Sequence, residues 1–305
     1  MGNWDWQCLI DLWGTRMNFV DFARIHGVDI DYSQLYPSDK IRRCGTVDKP
    51  KSTNGAFFYD GERGWVFNWA GEARVCWFES TKPWSDAEKR EWAVKRQQAN
   101  SDKDRSYEVA AQKADTILRS AKMESHPYLE IKGFKEMKAL VLEGRLLIPM
   151  RNVVTSKLQG LQSIYWDEEA RKYEKKMLHG MRAKNAVLCM GPREASELWF
   201  VEGYATGLSV HKALRSMGLH ATVVVCFSAS NMVQVVDQLN GYRFIFADND
   251  LSKTGEKSAI STGLPWTMAD ECGMDANDLH KKKGLMAVQK KIMDIRREFL
   301  TKQAA

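Results

Sequence analysis

Apolar and polar positions in the second half of the chain follow two different periods. Seven segments have the length and apolar content of buried strands: 145–150, 158–166, 186–190, 197–202, 221–227, 243–248 and 266–269. Helical patterns separate the last four of them, at 205–217, near 229–239 and after Gly255, and a final helix is expected after Asn277. Apolar strands that alternate with helices are typical of a parallel sheet covered on both faces.

The first third of the chain has a different pattern, because eight of the eleven tryptophans precede residue 93. The segment NGAFFYDGERGWVFNW (54–69) alternates aromatic residues with turn residues, which predicts short antiparallel strands joined by tight turns. Residues 85 to about 122 have a helical composition, with Ser85 and Glu88 as a capping box. The polar segment NSDKD (100–104) is predicted to break this stretch into two helices.

These patterns predict an α/β fold class with four parts. The predicted boundaries are an aromatic-rich N-terminal α+β domain (1–82), a helical linker (83–123), a smaller mixed β-rich basic subdomain (124–194), and a domain with a parallel sheet flanked by helices and a C-terminal helix (195–305). The main boundary is placed near the proline-containing segment SHPYLEIKG, because the residue before a proline is biased away from helix.

Composition excludes several classes of protein. No apolar run is long enough to span a bilayer and the start lacks a signal-peptide pattern, so neither a membrane span nor secretion is expected, and the predicted location is cytoplasmic. The six cysteines form no C-x-x-C pair, which argues against a disulfide framework and a zinc ribbon, so no structural zinc is expected. A net charge of +6 permits a polyanionic partner without requiring one.

Two acids at the end of one strand suggest metal chemistry. Asp248 and Asp250 follow the apolar run at 243–248, and in an extended chain they share one side. Two adjacent carboxylates repel by about 1 kcal/mol in water and by more in a drier site. A divalent cation commonly offsets such repulsion. The alternative is a solvated acidic turn that closes the strand.

Other acids are expected at the same edge of the sheet, since ligands bind beyond the carboxyl ends of parallel strands. Glu202 ends the run 197–202 and Gly203 lets the chain turn closely into a helix, while GMDANDL supplies Asp275, Asn277 and Asp278. Glu202 has an alternative role as an acid in the first turn of a helix. For Asp278, a charge at a helix start is favoured over direct metal ligation.

Together these segments resemble a known family. FVEGYATGLS, then FIFADND about forty residues later, then GMDANDLHKKKG resemble the Toprim domain shared by primases, topoisomerases and some nucleases, and D-x-N-D-L is similar to the primase version. HPYLEIKG, RLLIPMRNV, LQGLQSIYW and KKMLHGMRAKN resemble Toprim primases of phages and plasmids, so the resemblance covers roughly residues 124–285.

The resemblance implies roles for individual residues. Glu202 would act in acid–base chemistry or metal positioning, Asp248 and Asp250 would bind Mg²⁺ together with it, and Asp275 would assist, with Asn277 beside it. Mn²⁺ is expected to substitute for Mg²⁺. A basic ridge would bind template and nucleotide, at Arg145, Arg151, Lys175, Lys176, Arg182, Lys184, Lys253 and Lys257. The alternatives are a solvated hairpin for 171–184 and exposed helix-start lysines for Lys253 and Lys257.

The expected function is that of a stand-alone phage or plasmid DNA primase in a bacterial host cytoplasm. Its partners would be a single-stranded DNA template, ribonucleoside triphosphates and a replicative helicase on a separate chain, because SKTGEKS (252–258) lacks the first glycine of a Walker motif. The N-terminal aromatic residues either stack on single-stranded bases or form a core. Two rival functions stay open: a Toprim nuclease or topoisomerase-like enzyme, and a non-catalytic single-strand-binding replisome adaptor.

Overall fold

The computed structural model describes residues 17–38, 40–69, 74–78 and 86–304. The chain divides into two compact units, Met1–Val94 and Lys95–Ala305. The Ser85 cap predicted for the long helix lies outside the described residues. Within the part of the chain that the structure describes, no helix combines the length and the apolar character that a bilayer crossing requires.

The first unit is built on an antiparallel sheet. Its elements are α1 (Phe19–Ile25), β1 (Val28–Asp29), β2 (Arg42–Thr46), β3 (Gly55–Tyr59), β4 (Gly64–Asn68) and β5 (Val75–Phe78), and the strands lie in sequence order in the sheet. β3 and β4 pair antiparallel, which confirms the hairpin predicted from the aromatic segment. The ring of Phe19 on α1 stacks on that of Tyr59 at 4.6 Å, so the helix and one face of the sheet form the core.

A single helix, α2 (Asp86–Ser120, 35 residues), follows, so the predicted break at 100–104 is wrong. The segment contains neither glycine nor proline, and each of its polar residues costs a helix less than about 0.7 kcal/mol. Gln98 also donates a hydrogen bond to Asp102 one turn later, at 3.0 Å. In the second half of α2, Ala110 and Ala114 are buried in the core of the second unit.

The second unit contains a ten-stranded sheet. Its strands are β6 (Lys122–Glu124), β7 (Ala139–Leu142), β8 (Arg145–Asn152), β9 (Leu158–Asp167), β10 (Lys172–Met177), β11 (Ala186–Met190), β12 (Glu197–Val201), β13 (Ala221–Val225), β14 (Tyr242–Ala247) and β15 (Trp266–Met268). All seven predicted strands are present, whereas β6, β7 and β10 were not predicted as strands. The main order is β10-β9-β8-β11-β13-β12-β14-β15, and β6 and β7 pair beside β8.

The sheet changes character at β11. The strands β12 to β15 are parallel to one another, and those from β6 to β11 are antiparallel. β11 runs antiparallel to both β8 and β13, so it joins the two halves. The predicted parallel sheet and the predicted β-rich segment before it are therefore parts of one continuous mixed sheet.

Six helices complete the second unit after α2. They are α3 (Pro127–Ile131), α4 (Tyr204–Ser216), α5 (Ala229–Val235), α6 (Thr254–Ser261), α7 (Ala276–Lys283) and α8 (Leu285–Ala304). The helices α4, α7 and α8 share one buried core with the parallel strands, and α5 and α6 share another. The parallel half is therefore covered on both faces, as its continuous apolar strands predicted. Helix α7 begins at Ala276, slightly before its predicted start.

A buried ion pair ties α8 to the parallel half. The guanidinium of Arg296 contacts both carboxylate oxygens of Glu197, with an Nη2–Oε1 distance of 2.6 Å. Only 17% of the Arg296 side chain and 13% of the Glu197 side chain are exposed to solvent. Glu197 also accepts a hydrogen bond from the indole of the buried Trp199. Such a bidentate pair fixes geometry as well as contributing energy.

Removing one partner of this pair should destabilise the fold. We expect Arg296→Met to lower the free energy of unfolding by about 3 kcal/mol, because it leaves a mostly buried carboxylate without its cation. The double variant Arg296→Met with Glu197→Gln should be more stable than Arg296→Met alone, since the amide retains the Trp199 contact without a charge. Urea denaturation measures both, and equal or greater loss in the double variant would contradict the prediction.

Candidate active site

The parallel half contains a point where the strand order reverses. The chain passes from β12 through α4 to β13 on one side, and later places β14 on the other side of β12. Ligands of open α/β sheets bind outside the strand ends at such a point. Glu202 follows β12 and Asp248 follows β14. Because Phe200 pairs with Ile245, the same register brings Glu202 and Asp248 to neighbouring strand ends.

Asn249, which the sequence analysis did not single out, holds the end of β14 against the loop before α7. Its backbone N–H donates to the Met274 carbonyl at 3.1 Å, and its side-chain amide donates to the Ala269 carbonyl at 2.9 Å. Met274 directly precedes Asp275. The two contacts therefore place Asp275 beside the Asp248 segment, although 26 residues lie between Asp248 and Asp275 in the sequence.

Asp275 is the N-cap residue of α7. Its Oδ1 accepts from the backbone N–H of Asp278 at 2.8 Å, and its Oδ2 accepts from the Thr206 hydroxyl on α4 at 2.9 Å. Asp278 completes a capping box by accepting from the backbone N–H of Asp275 at 3.4 Å. Asp278 thus serves the helix start, which is the role that its position in the sequence favoured.

Asp248 lies in an unfavourable environment for a carboxylate. Burial raises its pKa from 3.8 to about 7, and repulsion from Asp275 and Glu202 acts in the same direction. Its Oδ1 is buried and has no hydrogen-bond partner. A buried acceptor without a partner costs about 1–3 kcal/mol, and more when the group is charged. A ligand that contacts this oxygen would recover that free energy.

The other two candidate metal ligands differ from Asp248. Burial raises the pKa of Glu202 and repulsion from Asp250 adds to it, whereas Lys175 and a hydrogen bond from the backbone of Ala229 oppose the rise. Asp250 accepts hydrogen bonds from the Ser252 hydroxyl at 2.6 Å and from backbone N–H groups, and these bonds lower its pKa.

Asp248 and Asp250 have different surroundings. The strand β14 ends at Ala247, and Asn249 between the two acids forms an isolated antiparallel bridge with Met274. Asp250 instead belongs to the turn that enters α6, where Gly255 packs so closely that a Cβ atom would lie 2.3 Å from the Asp248 carbonyl oxygen. The pair is therefore one buried acid followed by one turn acid.

Lys175 is the cation that faces the acids. Burial lowers its pKa and repulsion from Lys132 adds to this, while attraction to Asp275, Asp248 and Glu202 raises it. The side chain is solvent-exposed on β10, and its ammonium group lies 5.9 Å from the centre of the Tyr128 ring. The antiparallel half reaches the acids because β8 and β9 pack against the start of α4 in a common core.

Two further residues at this site were missed at the sequence level. Tyr128 on α3 is 2% exposed, and its hydroxyl has no hydrogen-bond partner. Its pKa is raised mainly by burial and secondly by the negative charge of Asp275. Lys132, at the end of α3, repels Lys175. Both residues belong to HPYLEIKG, a segment that carried the family resemblance without any assigned role.

Asn277, predicted as a supporting residue, connects three helices. Its side-chain amide donates to the Lys132 carbonyl at 2.8 Å and to the Ser209 hydroxyl oxygen at 3.0 Å. These contacts tie α7 to the end of α3 and to α4. Gly203, the other predicted supporting residue, is the N-cap of α4 and directly follows Glu202.

The remaining predicted cations lie in several places. Arg145 and Lys176 both contact the ring of Tyr165, at 4.4 and 5.6 Å, on the face of the sheet opposite to Lys175. Arg151 donates to the Ser156 carbonyl and Arg182 lies 5.8 Å from the Tyr107 ring of α2. Lys184, Lys253 and Lys257 are exposed, the last two directly after the Asp250 turn.

Two of the acids fit a divalent cation that keeps several of its own waters. Among the described residues, no group of three or more His, Cys, Asp and Glu side chains is arranged to hold a metal ion by itself. Mg²⁺ keeps several waters and takes only one or two protein carboxylates, with substrate phosphates completing its shell. The unpartnered Asp248 oxygen and the half-buried Glu202 carboxylate fit that requirement.

Comparisons with known proteins give weak structural similarity to solved structures. No protein-family model matches the chain, and no curated protein matches it. A solved structure described as that of the DnaG catalytic core is similar over 49% of this chain, with a TM-score of 0.35 and 18% sequence identity. The match covers 52% of that structure, so this chain spans about half of its length. A TM-score of 0.35 does not establish a shared fold.

The pKa of Asp248 predicts how stability depends on pH without divalent ions. The folded state keeps this proton up to about pH 7 and the unfolded state loses it near 3.8, so stability should fall as pH rises between these values. We expect Asp248→Asn to remove this slope. Its free energy of unfolding in EDTA should exceed that of the natural protein by about 2 kcal/mol at pH 8, allowing for partial solvent screening.

Urea denaturation in EDTA at pH 4, 6 and 8 measures this difference, which should be close to zero at pH 4. Asp250→Asn is the matched control, because hydrogen bonds lower the pKa of Asp250 and its ionised form is therefore stabilising. A stability difference for Asp248→Asn that does not change with pH would contradict the prediction.

Proposed function

We propose that this protein is a DNA primase of the phage or plasmid type, which synthesises short RNA primers on single-stranded DNA by Mg²⁺-dependent nucleotidyl transfer. Its substrates would be a single-stranded template and ribonucleoside triphosphates, and a replicative helicase on another chain would be its partner. The proposed setting is a bacterial cytoplasm. The sequence motifs of the Toprim resemblance support this assignment.

One structural observation carries the proposal. Three acids from separate segments, Glu202, Asp248 and Asp275, interact electrostatically with Lys175 beside a topological switch point. A structural acid cluster would be expected to be neutralised by hydrogen bonds, yet one oxygen of Asp248 is buried without a partner. Acids held together at a cost in free energy are typical of a functional site.

Each residue of the site would have a separate role in nucleotidyl transfer. Bound Mg²⁺ would neutralise charge on the transferring phosphoryl group. Asp248 and Glu202 would hold it, and Lys175 would bind a phosphate oxygen of the nucleotide. The Glu202 oxygen that does not contact the metal would be the candidate acceptor for the proton of the attacking 3′-hydroxyl. Asp275, which is held by Thr206 and by its capping of α7, would add negative charge near the metal without contacting it directly.

The proposal predicts primer synthesis that depends on Asp248. Incubation with single-stranded DNA, Mg²⁺ and labelled ribonucleotides should yield oligomers of a few nucleotides, and Asp248→Ala should reduce their rate at least about 100-fold. Denaturing gel electrophoresis measures the product. Shortened DNA without synthesis would instead indicate a nuclease, and DNA binding without either reaction would indicate an adaptor.

Neighbouring lysines on β10 allow a matched comparison. We expect Lys175→Met to reduce primer synthesis about 100-fold, since it removes the cation beside the acids. Lys176→Met should reduce synthesis far less, because that side chain lies with Tyr165 on the other face of the sheet. Rates measured at saturating template test the difference. Equal losses in the two variants would contradict the assignment of Lys175 to the reaction centre.

A further inference from the structure

A row of aromatic rings runs along the antiparallel half to the acid site. Trp166 on β9 contacts Tyr173 on β10, and Tyr173 contacts Tyr128 on α3, each pair edge-on with ring centroids 5.2 Å apart. Tyr128 is the buried residue whose pKa responds to Asp275. Trp166, at the other end, is 43% exposed. An edge-on contact covers at most one face of a ring, so the exposed indole keeps a surface for stacking.

The exposed indole lies a defined distance from Lys175. Trp166 pairs directly with Tyr173 across the two strands, and Tyr173 precedes Lys175 by two positions on the same face. Trp166 and Lys175 are therefore diagonal neighbours on paired strands, and such neighbours lie about 7–8 Å apart. That length is comparable to the distance between the base and the phosphates of one nucleotide. The same face therefore presents an aromatic ring at one end and a cation with acids at the other.

Charge distinguishes the two ends of this surface. The turn that follows Trp166 carries three acids, Asp167, Glu168 and Glu169. Arg171 and Lys172 come after them, and Lys172 is paired with Glu174 at 2.9 Å. At the other end, Lys132 and Lys175 lie close enough to repel each other. With Mg²⁺ bound by the acids, a phosphate group would be attracted to the lysine end and repelled at the Trp166 end, so a ligand would place its uncharged part on Trp166.

We propose that Trp166 is the platform on which the nucleobase of an incoming ribonucleoside triphosphate stacks, with its phosphates directed towards Lys175 and the acids. This assignment deepens the proposed function and rests on it. A single nucleotide fits better than a continuous strand, because a strand would carry phosphates past the acidic turn. Stacking on an aromatic ring tolerates any base, so the platform would supply affinity rather than base selectivity.

Equilibrium binding tests the platform separately from catalysis. Isothermal titration calorimetry with Mg²⁺ compares two probes, ATP and inorganic tripolyphosphate, which lacks the base. We expect Trp166→Ala to weaken ATP binding about ten-fold or more and to leave tripolyphosphate binding unchanged, since base–aromatic stacking contributes about 1–3 kcal/mol. Trp166→Phe should restore most of the ATP affinity, and Lys175→Met should weaken the binding of both probes.

Tyr242→Ala is the matched control. Tyr242 is 46% exposed and begins β14 at the end opposite to Asp248, so its loss should leave ATP affinity unchanged. Circular dichroism confirms that each variant is folded. If Trp166→Ala fails to fold, Trp166→Leu makes the same comparison, because leucine keeps apolar bulk without a ring.

Three results would overturn the platform: normal ATP affinity in Trp166→Ala, equal loss of ATP and tripolyphosphate affinity, or no ATP binding by the natural protein. Primer synthesis by the natural protein is scored separately. Trp166-dependent ATP binding without primer synthesis would support the platform and refute the primase assignment. Primer synthesis with normal ATP binding in Trp166→Ala would refute the platform alone.

Discussion

Repulsion among buried carboxylates is the constraint on which the arrangement of the second unit depends. Asp248 is surrounded by Asp275, Glu202 and Asp250, and burial together with these charges favours its protonated form. Lys175 offsets only part of this effect, because its attraction is smaller than the contributions of burial, Asp275 and Glu202. The remaining unfavourable free energy is offset by the packing of the apolar cores on both faces of the parallel strands, which hold the strand ends in place.

Hydrogen bonds from uncharged groups hold the acids in place despite their mutual repulsion. The Thr206 hydroxyl and the start of α7 fix Asp275, the Ser252 turn fixes Asp250, and Asn249 joins the two segments. Each of these contacts satisfies one carboxylate or one backbone group and leaves Asp248 as the acid with a buried free oxygen. Such selective satisfaction concentrates the unfavourable charge at one atom, where a cation would recover the most free energy.

The sequence predicted the parallel half well because its strands are nearly continuous apolar runs, and the acids follow them directly. It did not predict β10, since only Tyr173 and Met177 of KYEKKM are apolar and the pairing with β9 makes the segment a strand. For the same reason a run of lysines could not reveal that Lys175 faces the acids while Lys176 faces Tyr165. Tyr128 and Lys132 depend on the packing of α3, which no local pattern specifies.

The central position of β11 explains how cations from one half can act on acids from the other. Its first residues, Ala186 and Val187, pair with β8, and its last three pair with β13. A five-residue strand that hydrogen-bonds to both halves leaves little freedom for one half to shift against the other. The distance between Lys175 and Asp248 is therefore set by backbone hydrogen bonds and by the packing on α4 rather than by a flexible linker. A site assembled across such a junction is preorganised, which is the condition under which fixed charges stabilise developing charge most.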